Sequence, residues 1–420
     1  MSTQFPGRLL RSASGLAAAL LLGLGTFAGF ASAKEYVIGK QCDRSGVVKA
    51  VGVYYCPGFH DYIALFNKKN LLPGHTIRVM EVDDGYNVPR ALESYERMKK
   101  AGAVTIALFG TPHTVALTQK LAEDTILGTS PGFGSAAAAN GQKFPYLFPL
   151  AASYWSQTTA AMKFIQDNWK GDKQPKIAYI YVDNPAGREP FTILDDLQKL
   201  LGFEMERFAV PPPGIEMRPQ VLDITRKFKA DWVMAQLFGS APTVALKEFA
   251  RMGFPRDRMI GYVWAGGESH IRVAGWEQSE GYYTLQFAWV GSNRTNVNQP
   301  VLQEIVAMYQ SEGKPPPEEM DVSVYNNRGV FEAAVHAEAI RRAVEKKGPD
   351  ITSVDVREAM ERISGFSMGD FAAPVDMSPG DHEGGGAVRV FQVHDGGFRP
   401  VTDWFVGYRD VVTKHVTAGE

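Results

Sequence analysis

Tyr36-Val37-Ile38-Gly39, then Lys40-Gln41-Cys42-Asp43-Arg44-Ser45-Gly46, then Val47 to Tyr55, then Pro57-Gly58 and on to Asn67: this stretch decides the fold. The first four residues are a short apolar run that reads as a buried strand. The next seven form a polar turn. Beyond Pro57-Gly58, the residues Phe59, Tyr62, Ile63 and Phe66 recur at i, i+3, i+4 and i+7, one buried face of a helix. Pro57 is expected at the start of that helix, after a looser turn through Tyr54 and Tyr55. A strand, a polar loop and a helix make the first unit of a parallel α/β sheet. Such sheets bind ligands at the loops leaving the carboxyl ends of their strands, so Gln41 to Gly46 is expected to form the first wall of a ligand cleft.

Upstream of this stretch the chain has a different character. Arg8 and Arg11 precede an apolar, small-residue run, Leu16 to Phe30, which ends in Ala31-Ser32-Ala33. That order is a secretory signal cleaved after Ala33. The apolar run of 15 residues is short for a spanning helix, which needs roughly 20. Export to an oxidising compartment bears on the two cysteines, Cys42 and Cys56. Either they bridge, clipping the loop to the foot of the helix at about 3 kcal/mol in the chain-entropy view, or they stand as two thiols with Cys42 partly exposed; the bridge is preferred. Two cysteines without a neighbouring His pair do not make a zinc site, and no metal or cofactor is expected.

Downstream, strand and helix patterns alternate. Thr76 to Val82 reads as a strand, Pro89 to Ala101 as a helix, Val104 to Phe109 as a strand ending in Gly110-Thr111-Pro112-His113, Val115 to Glu123 as a helix, and Thr125 to Thr129 as a strand ending in Ser130-Pro131-Gly132-Phe133-Gly134. A second series follows, with strands at Lys176–Val182, Phe203–Phe208, Asp231–Leu237 and Met259–Val263, and helices at Tyr154–Trp169, Pro190–Leu201, Met217–Lys229 and Ala241–Met252. This is the βαβ pattern of a parallel sheet, met twice. The rest mixes helices (Val301–Ser311, Ser323–Lys346, Val354–Ile363) with an aromatic-rich strand, Tyr282–Trp289, a flexible loop at Gly384-Gly385-Gly386, and a hairpin whose strands flank His394-Asp395-Gly396-Gly397. A tail of this kind is expected to return to both halves, giving two lobes and a hinge.

The 420 residues suffice for two cores, and the composition, 45% hydrophobic and 21% charged, is that of a globular protein. The mature chain carries 42 basic and 46 acidic side chains, net −4, which argues against nucleic acid and anionic lipid as partners. No Gly-x-Ser-x-Gly elbow, His-Glu-x-x-His or phosphate-binding Gly-rich loop is found, so an enzyme is not expected. Asp381-His382-Glu383 lies beside the glycine loop, but three adjacent side chains are not expected to converge on one ion.

Several features taken in order are similar to one family: the export signal, the strand and loop with Ser45-Gly46 followed by Gly52, Asp83-Asp84 with Pro89, Gly110-Thr111, Ser130-Pro131-Gly132, and Asp183-Asn184-Pro185-Ala186-Gly187. From about Glu35 to about Val406 the chain resembles the periplasmic solute-binding proteins of branched-chain amino-acid and amide ABC transporters, the Leu/Ile/Val-binding type. The resemblance implies an α/β fold of two Rossmann-like lobes, a Venus flytrap with three hinge crossovers, here 34–151 plus 286–372 and 152–285 plus 373–420, after a signal peptide at 1–33. It implies a monomer that closes on a small solute and delivers it to an inner-membrane permease; a sensing module for a membrane receptor is the alternative.

In relatives that bind amino acids, first-lobe hydroxyls and N–H groups hold the ligand carboxylate. The matching positions are Thr111, His113, Gly132, Phe133 and Gly134. Thr111 could equally cap the helix starting at Pro112, and His113 could be a surface residue. Within the opening loop, Ser45-Gly46 is read as framework and Gln41, Cys42 and Asp43 as variable. The opposing wall is expected from Asp183, Ala186 and Arg188. Glu268 is the nearest second-lobe acid for an ammonium, a few residues past where relatives carry it, while Ala186 and Val51 stand where relatives place aromatics. Phe133, Phe238 and Trp264 could line the cleft instead, or pack the loops. Aromatic walls favour a small carboxylate or amide with an apolar or aromatic body over a plain branched-chain amino acid. Arg44 or Arg188 could pair with its carboxylate, or stay solvated.

Overall fold

The computed structural model describes residues 33–291, 299–321 and 323–418. Its strands are β1 (Glu35–Cys42), β2 (Thr76–Asp83), β3 (Ala103–Ala107), β4 (Leu127–Thr129), β5 (Leu147–Phe148), β6 (Lys176–Val182), β7 (Glu204–Val210), β8 (Trp232–Gln236), β9 (Met259–Gly261), β10 (Tyr283–Gln286), β11 (Arg389–His394) and β12 (Gly397–Pro400). The first five form an all-parallel sheet in the order β2-β1-β3-β4-β5. The other seven form a sheet in the order β12-β11-β10-β9-β8-β6-β7, parallel from β10 to β7, with β11 antiparallel to both β10 and β12 at its edge. Each sheet is the floor of one lobe. The chain passes between the sheets after β5, after β10 and again before β11, so three segments cross the hinge.

Helix α1 (Lys49–Lys68) runs straight through Pro57. The expected start at Pro57 is therefore wrong by two turns. The reason lies in the preceding loop: the buried Asp43 carboxylate accepts the N–H groups of Ser45 at 3.2 Å, Gly46, and Val48 at 2.8 Å, so it ties the loop into a helix entry before Pro57 is reached. Asp43 is thus framework, not a variable residue. Gly52 is required here, since a Cβ would sit 1.8 Å from the Asp43 carbonyl oxygen. Cys42 and Cys56 are bridged across this loop, with Cα atoms 6.4 Å apart, and both are fully buried.

The long Val324–Lys347 helix packs along α1. Their backbones approach at two glycines: a Cβ on Gly58 would lie 2.2 Å from the Asn326 carbonyl oxygen, and one on Gly329 would lie 2.0 Å from that of Tyr55. Beneath them a buried polar network joins Lys40 Nζ to Glu332 at 3.1 Å, with Tyr55 and Thr129 hydroxyls donating to the same carboxylate. Helices α2 (Val88–Lys100) and α3 (Thr111–Asp124) cover the first sheet, and α4 (Tyr154–Asn168) opens the second lobe. The Gly384–Gly386 segment, expected to be flexible, is mostly buried, with Gly386 against Ser156 and Arg409. A final helix, Arg409–Ala418, packs on α4.

Candidate functional site

The loops leaving β2, β3, β4, β8 and β9 converge between the sheets, joined by the starts of α1 and α4. There they enclose an apolar cavity of about 20 Å3, lined by Val48, Val51, Tyr86, Phe109 and Phe133 from the first lobe and Tyr154, Phe238 and Trp264 from the second. Each lining residue sits at the carboxyl end of a strand or at the first turn of a helix, the place where an open parallel sheet presents side chains to a ligand. A volume of that size admits about one water molecule, so a larger solute enters only if the lobes part. A separate open groove of about 650 Å3 lies at the outer edge of the lobe junction, bounded by Arg44, Lys49 and Tyr54 on one side and Pro213, Ile215 and Val273 on the other.

The lobes meet through specific contacts. Trp264 stacks on Phe133 with ring centroids 4.7 Å apart and planes 8° from parallel, and its indole N–H donates to the Gly132 carbonyl at 2.7 Å. Gly239, at φ +61°, lets the second lobe approach so closely that a Cβ there would lie 2.9 Å from the Val47 carbonyl oxygen. Glu189, just after the short Pro185–Arg188 helix, accepts the Ala136 N–H at 2.5 Å across the junction. Behind Trp264 lies the buried Arg328 guanidinium, 4.5 Å from its ring centroid. Arg328 reaches the Val263 carbonyl and Gln286 Oε1, and Tyr325 donates to the Trp264 carbonyl at 3.0 Å.

Of the residues read from sequence, Phe133, Phe238 and Trp264 line the cavity. Thr111 and Gly132 lie just behind it: the Thr111 hydroxyl accepts the Gly134 N–H at 3.1 Å, and Gly132 receives Trp264. The others are placed elsewhere. Gln41 points under α2, donating to Ala91 and Ser94. Ser45 is exposed on the loop. Asp183 pairs with Arg188 at 2.7 Å, Ala186 is buried with its carbonyl toward Gln236, and Arg44 is held bidentately by Glu81. The wall expected from Gln41 to Gly46 is instead made by Val48 and Val51, because Asp43 folds the polar loop away.

Glu268, expected to face a ligand ammonium, is fully buried and accepts the backbone N–H groups of Gly291 at 3.2 Å and Val324 at 2.7 Å. It ties a second-lobe loop to the start of the long first-lobe helix. Burial pushes its carboxyl up to about 7. His113 is buried behind Tyr86, with Nδ1 3.5 Å from Asp84 Oδ2. Burial lowers His113 to about 4 and raises Asp84 to about 7. Asp381, His382 and Glu383 diverge: His382 stacks on Phe148 and meets Glu361, while Glu383 turns to the Ser153 N–H and Arg409. The sulfurs near Glu81 are joined in the disulfide, which removes them as thiolate metal ligands. Tyr86, Phe109, Tyr154, Glu189 and Arg328 were not singled out as site residues by the sequence reading. Phe109 alone carried a visible signal, as the last apolar residue of a strand before Gly110.

No helix among the described residues is long and apolar enough to cross a membrane. Among curated proteins, none is similar enough to match the chain. A solved structure described as an ABC transporter permease from the Pseudomonas fluorescens group is 27% identical, with a TM-score of 0.82 over 92% of this chain and 95% of that one. A branched-chain amino-acid ABC transporter protein from Thermus thermophilus with bound valine is 22% identical, with a TM-score of 0.79 over 91% and 99%. A fatty acid ABC transporter substrate-binding protein from Thermomonospora curvata is 17% identical, with a TM-score of 0.75 over 91% and 94%. The sequence profile of the periplasmic binding proteins matches residues 35–397. Two lobes, three crossovers and a cleft at the strand ends agree with that match, and the chain belongs to the periplasmic binding protein family.

Proposed function

We propose that this protein is the solute-capturing component of an ABC importer, exported to the periplasm with its signal removed after Ala33. It works as a monomer that closes on a small solute with an apolar or aromatic body and a carboxylate or amide end, then presents it to an inner-membrane permease. The observation that carries this reading is the cavity itself: eight apolar or aromatic residues, five from one lobe and three from the other, meet where the sheets present their strand ends. Such walls bind by buried area and ring stacking. The relatives with bound valine and with fatty acid specificity both handle solutes with an apolar body. Arg44 and Arg188 are engaged by Glu81 and Asp183, and Glu268 by backbone N–H groups, so an amino-acid zwitterion has no free charge to meet at those positions. Native mass spectrometry identifies any solute carried through purification. Calorimetry with aromatic acids, their amides, and leucine then ranks the classes. Tight leucine binding without binding of any aromatic acid or amide refutes the reading.

A further inference from the structure

Glu189 lies in the second lobe, yet its carboxylate is set against the first. Oε1 accepts the Ala136 N–H at 2.5 Å. Oε2 lies against the Cα of Gly134, 2.4 Å from where a Cβ would stand, with the Thr111 methyl beside it. Oε2 is buried and has no hydrogen-bond partner, although the residue as a whole is partly exposed. The main chain is anchored independently, because the Trp155 indole donates to the Glu189 carbonyl at 3.0 Å. So the Ala136 N–H already meets a carboxylate belonging to the protein, while the Gly134 N–H is taken by the Thr111 hydroxyl. That carboxylate neighbours Tyr154, a wall of the cavity, and contributes to the electrostatic environment of its hydroxyl.

Other charges lie around the cavity, on sides away from the Gly134 and Ala136 corner. Asp43 and Asp84 act on Tyr86, another lining residue. Lys40 is paired with Glu332, beneath Phe109. Arg328 stands behind Trp264, hydrogen-bonded through Nη2 to Val263 and Gln286 while its Nε and Nη1 have no hydrogen-bond partner, and it acts on Tyr154 from that side. A solute carboxylate placed here meets a like charge in a largely apolar, low-dielectric surrounding. A solute N–H or O–H meets an acceptor that lacks a partner.

We propose that Glu189 sets which polar end the cleft accepts: its carboxylate occupies the first-lobe corner at Gly134 and Ala136, rejects carboxylates, and selects a neutral solute that donates a hydrogen bond, such as a primary amide or an alcohol. This rests on the capture of an apolar or aromatic solute argued above and chooses between its two polar ends. Burial raises the Glu189 carboxyl to about 7, consistent with an acceptor that lacks compensating donors.

The test uses the mature protein and its Glu189→Gln and Glu189→Ala variants. Phenylacetamide and phenylacetate are titrated by calorimetry at pH 8, where the wild-type carboxyl is ionised. The expected wild-type result is at least tenfold tighter binding of the amide, with the ratio falling to within threefold in Glu189→Gln, which keeps an acceptor for Ala136 but no charge. Equal affinities in the wild type, or a ratio unchanged in Glu189→Gln, overturn the inference. A second arm needs no cognate solute: acetate is expected to raise the melting temperature of Glu189→Ala, by refilling the emptied corner, and to leave the wild type unmoved. Acetate acting alike on both proteins overturns the inference. If neither phenyl compound binds the wild type while acetate distinguishes the two proteins, the role of Glu189 stands and the aromatic-solute reading fails.

Discussion

Replacing Trp264 separates closure of the lobes from stability of the fold. The side chain is 3% exposed, as a core residue would be, but its contacts with Phe133 and Gly132 cross the lobe junction. Trp264→Phe keeps a ring against Phe133 and removes the indole N–H. The Gly132 carbonyl is left with only the Gln157 amide at 3.4 Å. Weakening a buried acceptor in this way costs about 1–2 kcal/mol, which lowers the closed-to-open ratio by roughly 5- to 30-fold. Trp264→Ala also removes the ring stack, about 0.5–1.5 kcal/mol, and uncovers the Arg328 guanidinium, about 2 kcal/mol for a desolvated cation–π contact. Its cost to closure is therefore about 3.5–5.5 kcal/mol. These contacts are broken in an open form anyway, so the loss in global stability cannot exceed the free energy of closure. Small-angle scattering reads the outcome as an increase in the radius of gyration, larger for Ala than for Phe, and the melting temperature falls less than for a core Trp→Ala change. A fall in unfolding free energy of the full 3–5 kcal/mol expected for a core tryptophan, with the radius of gyration unchanged, refutes the reasoning and makes Trp264 an ordinary core residue.

Three further outcomes follow from the geometry. The double variant Cys42→Ala/Cys56→Ala opens a loop with sequence separation 14. It should lose about 3 kcal/mol, a fall of about 6–12 °C for a lobe-sized cooperative unit; calorimetry showing no change sinks the idea that the bridge holds the first loop. Gly329→Ala forces a methyl group to within 2.0 Å of the Tyr55 carbonyl, and should cost at least about 1–3 kcal/mol by urea denaturation as the two long helices are pushed apart. Asp84 has its carboxyl raised from 3.8 to about 7 by burial, so the folded protein holds a proton that the unfolded chain releases above about pH 4. That contribution is present at low pH and is lost as pH rises from about 4 to 7, with a ceiling of roughly 4 kcal/mol. Asp84→Asn should therefore gain on the wild type progressively over that window, whereas parallel stability–pH curves for the two proteins would contradict the shift. His113, lowered to about 4, acts in the opposite sense in both proteins as pH falls below 6.5.

The alternation of strand and helix was legible because it depends on local periodicity, but the short β5 was not read and Met217–Lys229, read as one helix, is an α-helix at Arg218–Leu222 running into a π-helix at Asp223–Phe228. The aromatics Phe133, Phe238 and Trp264 were legible as a lining because each follows an apolar strand in a glycine-rich turn. What misled the reading was long-range. The usual meaning of a proline, the first turn of a helix, was overridden at Pro57 by Asp43, which starts α1 from outside it. Glu268 looked like a ligand contact, but its partners are backbone groups 23 and 56 residues away, brought to it only by the hinge. The last helix, Arg409–Ala418, went unread because its burial is confined to Val412 and His415, too few for a clear face.

The same contacts bear on what shape of solute the cleft can take. A solute that reaches the centre must part Phe133 from Trp264, whose rings are 4.7 Å apart and nearly parallel. An aliphatic side chain would exchange that stack for edge contacts and recover only buried area. A flat ring sliding between them would exchange one ring pair for two, each worth about 0.5–1.5 kcal/mol beyond area. The lobes would then have to yield by roughly one ring thickness, which a hinge can supply. The indole N–H is held by Gly132 on the first lobe while its ring belongs to the second. Any motion of the lobes that parts the rings therefore also stretches that bond, whatever the shape of the solute. Motion of the hinge and loss of that hydrogen bond are in this way coupled through one side chain: a flat solute needs the smaller opening and regains two ring pairs, whereas a bulky aliphatic one needs a wider opening and regains none.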